Sequence, residues 1–282
     1  MKNCEVLCKA LSDFGSRIES CRIDERKLPW CPMLPYVYPE YGTGKKIFYI
    51  GRDTFGWDLK LPGEEDEKCF DFFFKCYDAG DFRPYLKRNS GTLSVDKRVY
   101  GWYNKPGSFW FGINSLHLKL ILGRNPRLGL RDLSKEELKC LNSIGYGNLN
   151  AIELPETLEK QGFGCWSHIS KDEYLCIKES SEETLDKLKY VLACYHPDRV
   201  VITSLEGKLE DEYFAGCKVG RLGKEDGVSA HMKVWDYNVS YGGVEAKVFW
   251  TKHPAKWGWS WDAFTTNVNG LANHITKSMG WW

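Results

Sequence analysis

Four short apolar runs alternate along the chain with segments of helical apolar spacing: KIFYI at 46–50, NAIEL at 150–154, RVVITS at 199–204 and AKVFWT at 246–251. That alternation limits the possible folds more than any other feature. A short run without polar alternation reads as a strand buried on both faces. Strands of this kind separated by helices form a parallel sheet with helices packed against it.

The helical segments carry their own signals. Leu7, Ala10, Leu11, Phe14 and Ile18 recur at helical spacing near the start, and Ser134-x-x-Glu137 forms a capping box ahead of Leu138, Leu141 and Ile144. Leu185, Leu188, Val191, Leu192 and Tyr195 precede the third strand, and Trp261, Phe264, Val268, Leu271 and Ile275 share one side of a final helix. No repeat or linker divides the chain, so a single domain over 1–282 is expected. It has a helical, proline-rich extension to about residue 44 and an irregular basic insertion over about 70–131.

The insertion matters because net charge is only +1, yet Arg83 to Arg131 holds ten basic residues and one acid, Asp96. Such a block is either a solvated surface balanced in space by acids elsewhere or a face for phosphates. Aromatic residues make up 15% of the chain, including 12 Trp, and these either pack a core or stack on something flat. The 11 cysteines are scattered, and the N-terminus has no apolar run of the signal-peptide kind. Free thiols, an intracellular location (cytoplasm or nucleoid) and a monomer are the expectation. No apolar run is long enough for a membrane span.

In an open parallel sheet, ligands collect at the carboxyl ends of the strands. Gly51-Arg52-Asp53-Thr54-Phe55 follows the first strand, Gly147-Asn148-Leu149-Asn150 surrounds the start of the second, and His253-Pro254-Ala255-Lys256-Trp257 follows the last. An acid, an amide and an imidazole are thus expected to converge on one crevice at that edge.

These segments, in this order, resemble the uracil-DNA glycosylase superfamily, whose members carry a Gly-Gln-Asp-Pro-Tyr variant, a Leu-Leu-Asn-Ala-Val strand and a His-Pro-Ser turn. The resemblance implies a three-layer α/β/α fold around a central four-stranded parallel sheet. It also implies a monofunctional DNA glycosylase that hydrolyses the N-glycosidic bond of uracil or a related damaged base, without a cofactor. Asp53 falls where the family orients water and stabilises the cationic sugar, and His253 where an imidazole hydrogen-bonds the departing base. By the same resemblance Gly51 and Phe55 would line the base and Asn150 would read its edge; Asn148, two residues earlier on the same strand face, competes for that role, and strand register decides between them.

Trp257 matches the wedge that enters DNA, with Lys256, Arg88 and Arg98 as contacts to the duplex or to a single strand. Thr54 and Ala255 depart from the family's proline and serine, which leaves a catalytically silent nucleic-acid- or protein-binding module as the alternative. A hydrolase of free nucleosides is a third reading. Some family members hold an iron–sulfur cluster, but no Cys-x-x-Cys pair exists here and neither Cys4-x-x-x-Cys8 nor Cys165 with Cys176 has the spacing.

Overall fold

The computed structural model describes residues 5–21, 32–51, 69–91, 108–127, 132–152, 170–204, 210–229, 232–258 and 260–278. Helix α1 (Glu5–Ser20) is followed by a short strand, β1 (Tyr36–Val37), and then by β2 (Ile47–Gly51). Among the described residues the next helices are α2 (Cys69–Asp78), α3 (Arg83–Gly91) and α4 (Phe109–Leu122). Helix α5 (Lys135–Leu141) leads into β3 (Ile144–Asn148), and α6 (Lys171–Thr184) and α7 (Leu188–Tyr195) lead into β4 (Arg199–Ile202). A short helix, α8 (Glu210–Tyr213), precedes β5 (Lys218–Ser229), β6 (Met232–Tyr241) and β7 (Val244–Thr251), and α9 (Trp261–Lys277) completes the described fold.

Among the described residues the sheet has seven strands, in the order β1-β3-β2-β4-β7-β6-β5, three more than the four expected. Neighbours among β3, β2, β4 and β7 pair in parallel, whereas β1 and the β5–β6 ribbon are antiparallel additions at the two edges. Successive residues of the inner strands serve opposite faces. Ile47, Tyr49, Val201 and Phe249 join one apolar cluster with residues of α4 and α9. Phe48, Ile50, Val200, Ile202 and Trp250 join another with Leu188, Val191 and Leu192 of α7. Both faces of the sheet are therefore covered, which is why these strands read as continuous apolar runs.

The second strand lies six residues earlier than NAIEL suggested. IGYGN is a glycine-bearing stretch, yet a Cβ on Gly145 would stand 2.3 Å from Phe48 Cδ2, so the ring of the neighbouring strand demands the glycine. Within the region 70–131, the described residues up to 91 and from 108 to 127 are largely helical. Helix α4 has buried side chains almost continuously from Trp110 to Leu120 and belongs to the core. Its sequence is apolar all round, so it carries no amphipathic period to betray it.

The cysteines also differ from expectation. Cys21, at the end of α1, forms a disulfide with Cys176 of α6, and Cys194 is disulfide-bonded as well, while Cys8, Cys76, Cys140 and Cys217 carry no disulfide. Among the described residues, no helix is long and apolar enough to cross a membrane, and no group of three or more His, Cys, Asp or Glu side chains is placed to hold a metal ion.

Candidate functional site

Three of the inner strands end at one edge with the groups of interest. Gly51 closes β2 and is in register with Asn148, which closes β3. The Gly51 carbonyl accepts from Leu149 N at 2.9 Å, and Thr203 N, just past β4, donates to the Ile50 carbonyl at 2.9 Å. The backbone at these strand ends is thereby satisfied. A Cβ on residue 51 would sit 2.7 Å from Asn148 Oδ1, 3.1 Å from the Tyr146 hydroxyl and 3.4 Å from the Phe109 ring. Only glycine lets those three side chains approach the strand end.

His253 follows β7 and caps a single 3-10 turn, Pro254–Lys256. Its Nδ1 accepts from Ala255 N at 3.1 Å, so in the neutral ring the proton sits on Nε2. The ring lies 5.8 Å from that of Phe109, which is itself 5.5 Å from Tyr146. Phe109 is half-buried at the first position of α4, where the Ser108 side chain caps the helix by accepting from Phe111 N. It is the common neighbour that joins the β2, β3 and β7 ends. Gly112 in α4 brings the turn in close, since a Cβ there would meet Pro254 Cβ at 2.4 Å.

Asn148 is buried and its amide is held on two sides. The Tyr146 hydroxyl donates to Oδ1 at 2.7 Å, and Nδ2 donates to Met33 Sδ at 3.2 Å. Tyr146 in turn packs against Trp110, with ring centroids 4.5 Å apart. Asn150 stands beyond the strand, half-buried. The amide that ends the strand beside Gly51 is therefore Asn148. The segment after it is anchored by Asp186, whose carboxylate accepts from Ala151 N at 2.6 Å and from Ser181 Oγ, and whose burial pushes its pKa up to about 7.

Other expected site residues are placed differently. Trp257 is no wedge: its side chain is 0% exposed, its Nε1 donates to the Lys252 carbonyl at 2.7 Å, and its ring stacks with Phe264. Arg88 does not face phosphate; it is 8% exposed, with its guanidinium 4.5 Å from the centre of the Phe72 ring. Lys256 is exposed beside the His253 turn. Asp53, Phe55 and Arg98 lie outside the described residues.

The basic block is partly balanced by acids. Arg83 pairs with Asp81 at 2.7 Å, Arg127 with Glu137 at 3.3 Å and Arg124 with Glu136 at 3.6 Å. Reading the sequence missed Phe109, Tyr146 and Met33. Ser108 ahead of an aromatic helix start was the only local sign of Phe109, while Met33 reaches Asn148 across 115 residues and leaves no local pattern.

No protein-family model matches this chain, and no curated protein matches it significantly.

Proposed function

We propose that this chain is a glycosylase of the uracil-DNA glycosylase kind, which flips a uracil or related damaged base out of DNA and hydrolyses its N-glycosidic bond. One observation carries the reading. Gly51, Asn148 and His253 stand at the carboxyl ends of parallel-running strands around Phe109. An aromatic face, an amide and an imidazole N–H are the groups a planar pyrimidine needs: stacking, reading of its polar edge, and stabilisation of its departing anion. The parallel order β3-β2-β4-β7 supports the family likeness drawn from the motifs.

In this scheme the bond from C1′ to the base nitrogen breaks with its electron pair going to the base. His253 Nε2–H donates to the base oxygen on which the negative charge gathers. Asp53, two residues past Gly51, orients the water that bonds to C1′ and balances the positive sugar. The water's proton passes to solvent or carboxylate.

The partial pairing of the basic block favours a second reading, a hydrolase of free nucleosides. With Arg83, Arg124 and Arg127 paired to acids and Arg88 buried, less positive charge is available to a duplex than the sequence suggested. Base release from oligonucleotides carrying uracil, hypoxanthine or 5-hydroxymethyluracil, measured beside the same free nucleosides, tests both. Release from oligonucleotides alone supports the glycosylase, release from nucleosides alone supports the second reading, and release from neither removes both.

A further inference from the structure

Hydrogen bonds fasten the segment just beyond β3 to three different parts of the fold. Leu149 N donates to the Gly51 carbonyl at 2.9 Å, Met33 N donates to the Ala151 carbonyl at 2.8 Å, and Ala151 N donates to Asp186 Oδ1 at 2.6 Å. The first bond joins the segment to the edge where β2 ends. The last is made by a side chain that titrates. Asn150 lies between these anchors, so the place of Leu149–Ala151 at the strand edge depends on the Asp186 carboxyl.

That carboxyl is itself firmly placed. Asp186 is 9% exposed, in the corner between α6 and α7, where its N donates to the Ser181 carbonyl at 3.0 Å. Ser181 Oγ donates to both carboxylate oxygens, at 3.2 and 3.1 Å. Tyr190 braces the corner by donating its hydroxyl to the Thr184 carbonyl, and Lys187 Nζ reaches the Glu212 carbonyl at 2.9 Å.

The titratable groups that face Asp186 are Glu182 of α6, Lys187 in the corner, Tyr190 of α7 and Tyr213 of α8. Burial, the largest influence, and Glu182 favour the neutral acid, while Ala151 N–H, Ser181 and Lys187 favour the carboxylate. The neutral acid suits its surroundings: Oδ1 accepts from Ala151 N, and the other oxygen can direct its proton to Ser181 Oγ. A carboxylate there gains solvation if the corner parts from Ala151.

We infer that Asp186 is a positioning residue of this site: through the Ala151 N–H it holds Leu149–Ala151 against the Gly51 strand end, and it releases the segment as a carboxylate. The closed arrangement raises the pKa of Asp186 to about 7, so by linkage the hold weakens as pH climbs through that value. This rests on the reading of the strand edge as a base site.

The test follows hydrogen exchange of single amides by NMR in the full chain from about pH 5.5 to about pH 8.5, a window that brackets the titration. Ala151 is compared with Val201, a buried residue of β4 paired on both sides, after each rate is divided by its unfolded-chain rate. In the wild type, protection of Ala151 should fall relative to Val201 by about 10-fold or more across the window. Asp186→Asn offers an oxygen to Ala151 N and an amino group to Ser181, so its ratio should stay level. Ser181→Ala removes a donor to the carboxylate and should move the fall to higher pH.

Over the same window, affinity is titrated for a single-stranded oligonucleotide carrying 2′-fluoro-2′-deoxyuridine, whose fluorine slows glycosidic cleavage. The wild type should weaken by about 10-fold more than Asp186→Asn. A level wild-type ratio, or the same fall in Asp186→Asn, overturns the hold on Ala151. A fall in protection with equal pH dependence of affinity in the two proteins overturns its bearing on the site. An oligonucleotide that binds neither protein at any pH overturns the base-site reading and the positioning role with it, and the exchange ratio keeps that failure distinct from failure of the hold itself.

Discussion

Gly51 and Asn148 face each other across the ends of two parallel strands, so close that a single methyl on residue 51 would lie 2.7 Å from the Asn148 amide oxygen. The glycine is thus part of the amide's seat. Gly51→Ala should displace Asn148, lowering affinity for a pyrimidine ligand by about 10-fold or more while costing about 1–3 kcal/mol of stability from overpacking. Ligand titration together with urea unfolding checks this. Wild-type affinity in the variant would mean that Asn148 does not touch the ligand.

Trp257 is a core residue, and its removal should act on stability. Trp257→Ala should cost about 3–5 kcal/mol in chemical unfolding, the range for large aromatic deletions that leave a cavity. Trp257→Phe should restore part of the loss. A wedge on the surface would instead give full stability and weakened DNA binding.

The contrast between these positions shows what a linear reading reaches. Helix α1 was visible because Leu7, Leu11, Phe14 and Ile18 fall on one face, and all are buried. The Ser134–Glu137 capping box appears with both of its hydrogen bonds, and α9 buries Phe264, Val268, Leu271 and Ile275 as its spacing predicts. Strand β3 escaped because Gly145 and Gly147 weaken its β signal, and Ile144 continued the period of Leu138 and Leu141. The reason for Gly145 is a ring on another strand, Phe48, which no local pattern contains. At the site, Gly51 and His253 were legible from their places beside strands, whereas Phe109, Tyr146 and Met33 become neighbours only through tertiary packing.

Asp186 gives a pH signature. Its carboxyl is buried, and Ala151 N and Ser181 Oγ offset the desolvation only in part, so its pKa rises to about 7 from the ordinary 3.8. Glu182 adds to the rise and Lys187 opposes it. Because the folded state holds this proton more tightly than the unfolded chain, stability from this group is greatest below about pH 4 and is lost as pH climbs to about 7. Asp186→Asn removes the titration and should flatten the fall in unfolding free energy between pH 5 and 8, a change on the order of a few kcal/mol. An identical pH profile in the variant would show that Asp186 titrates normally.

The Cys21–Cys176 bond joins the end of α1 to α6 across a sequence separation of 155 residues. Cys176→Ser should lower stability by about 2–4 kcal/mol. Thiol counting under denaturing, non-reducing conditions should find one more reactive thiol in the variant, from Cys21. A count one lower in the variant than in the wild type would mean that the bond does not form in solution.

The most direct test of the site is single-turnover release of uracil from a single-stranded oligonucleotide by the wild type and by Asn148→Ala, with thermal unfolding measured on both. Asn148 ends its strand at the edge shared by Gly51 and His253, so losing its amide should reduce the rate by about 100-fold, comparable to deleting one preorganised donor, while the folded state persists. Equal rates from two folded proteins, or no release of uracil by the wild type, would contradict the account.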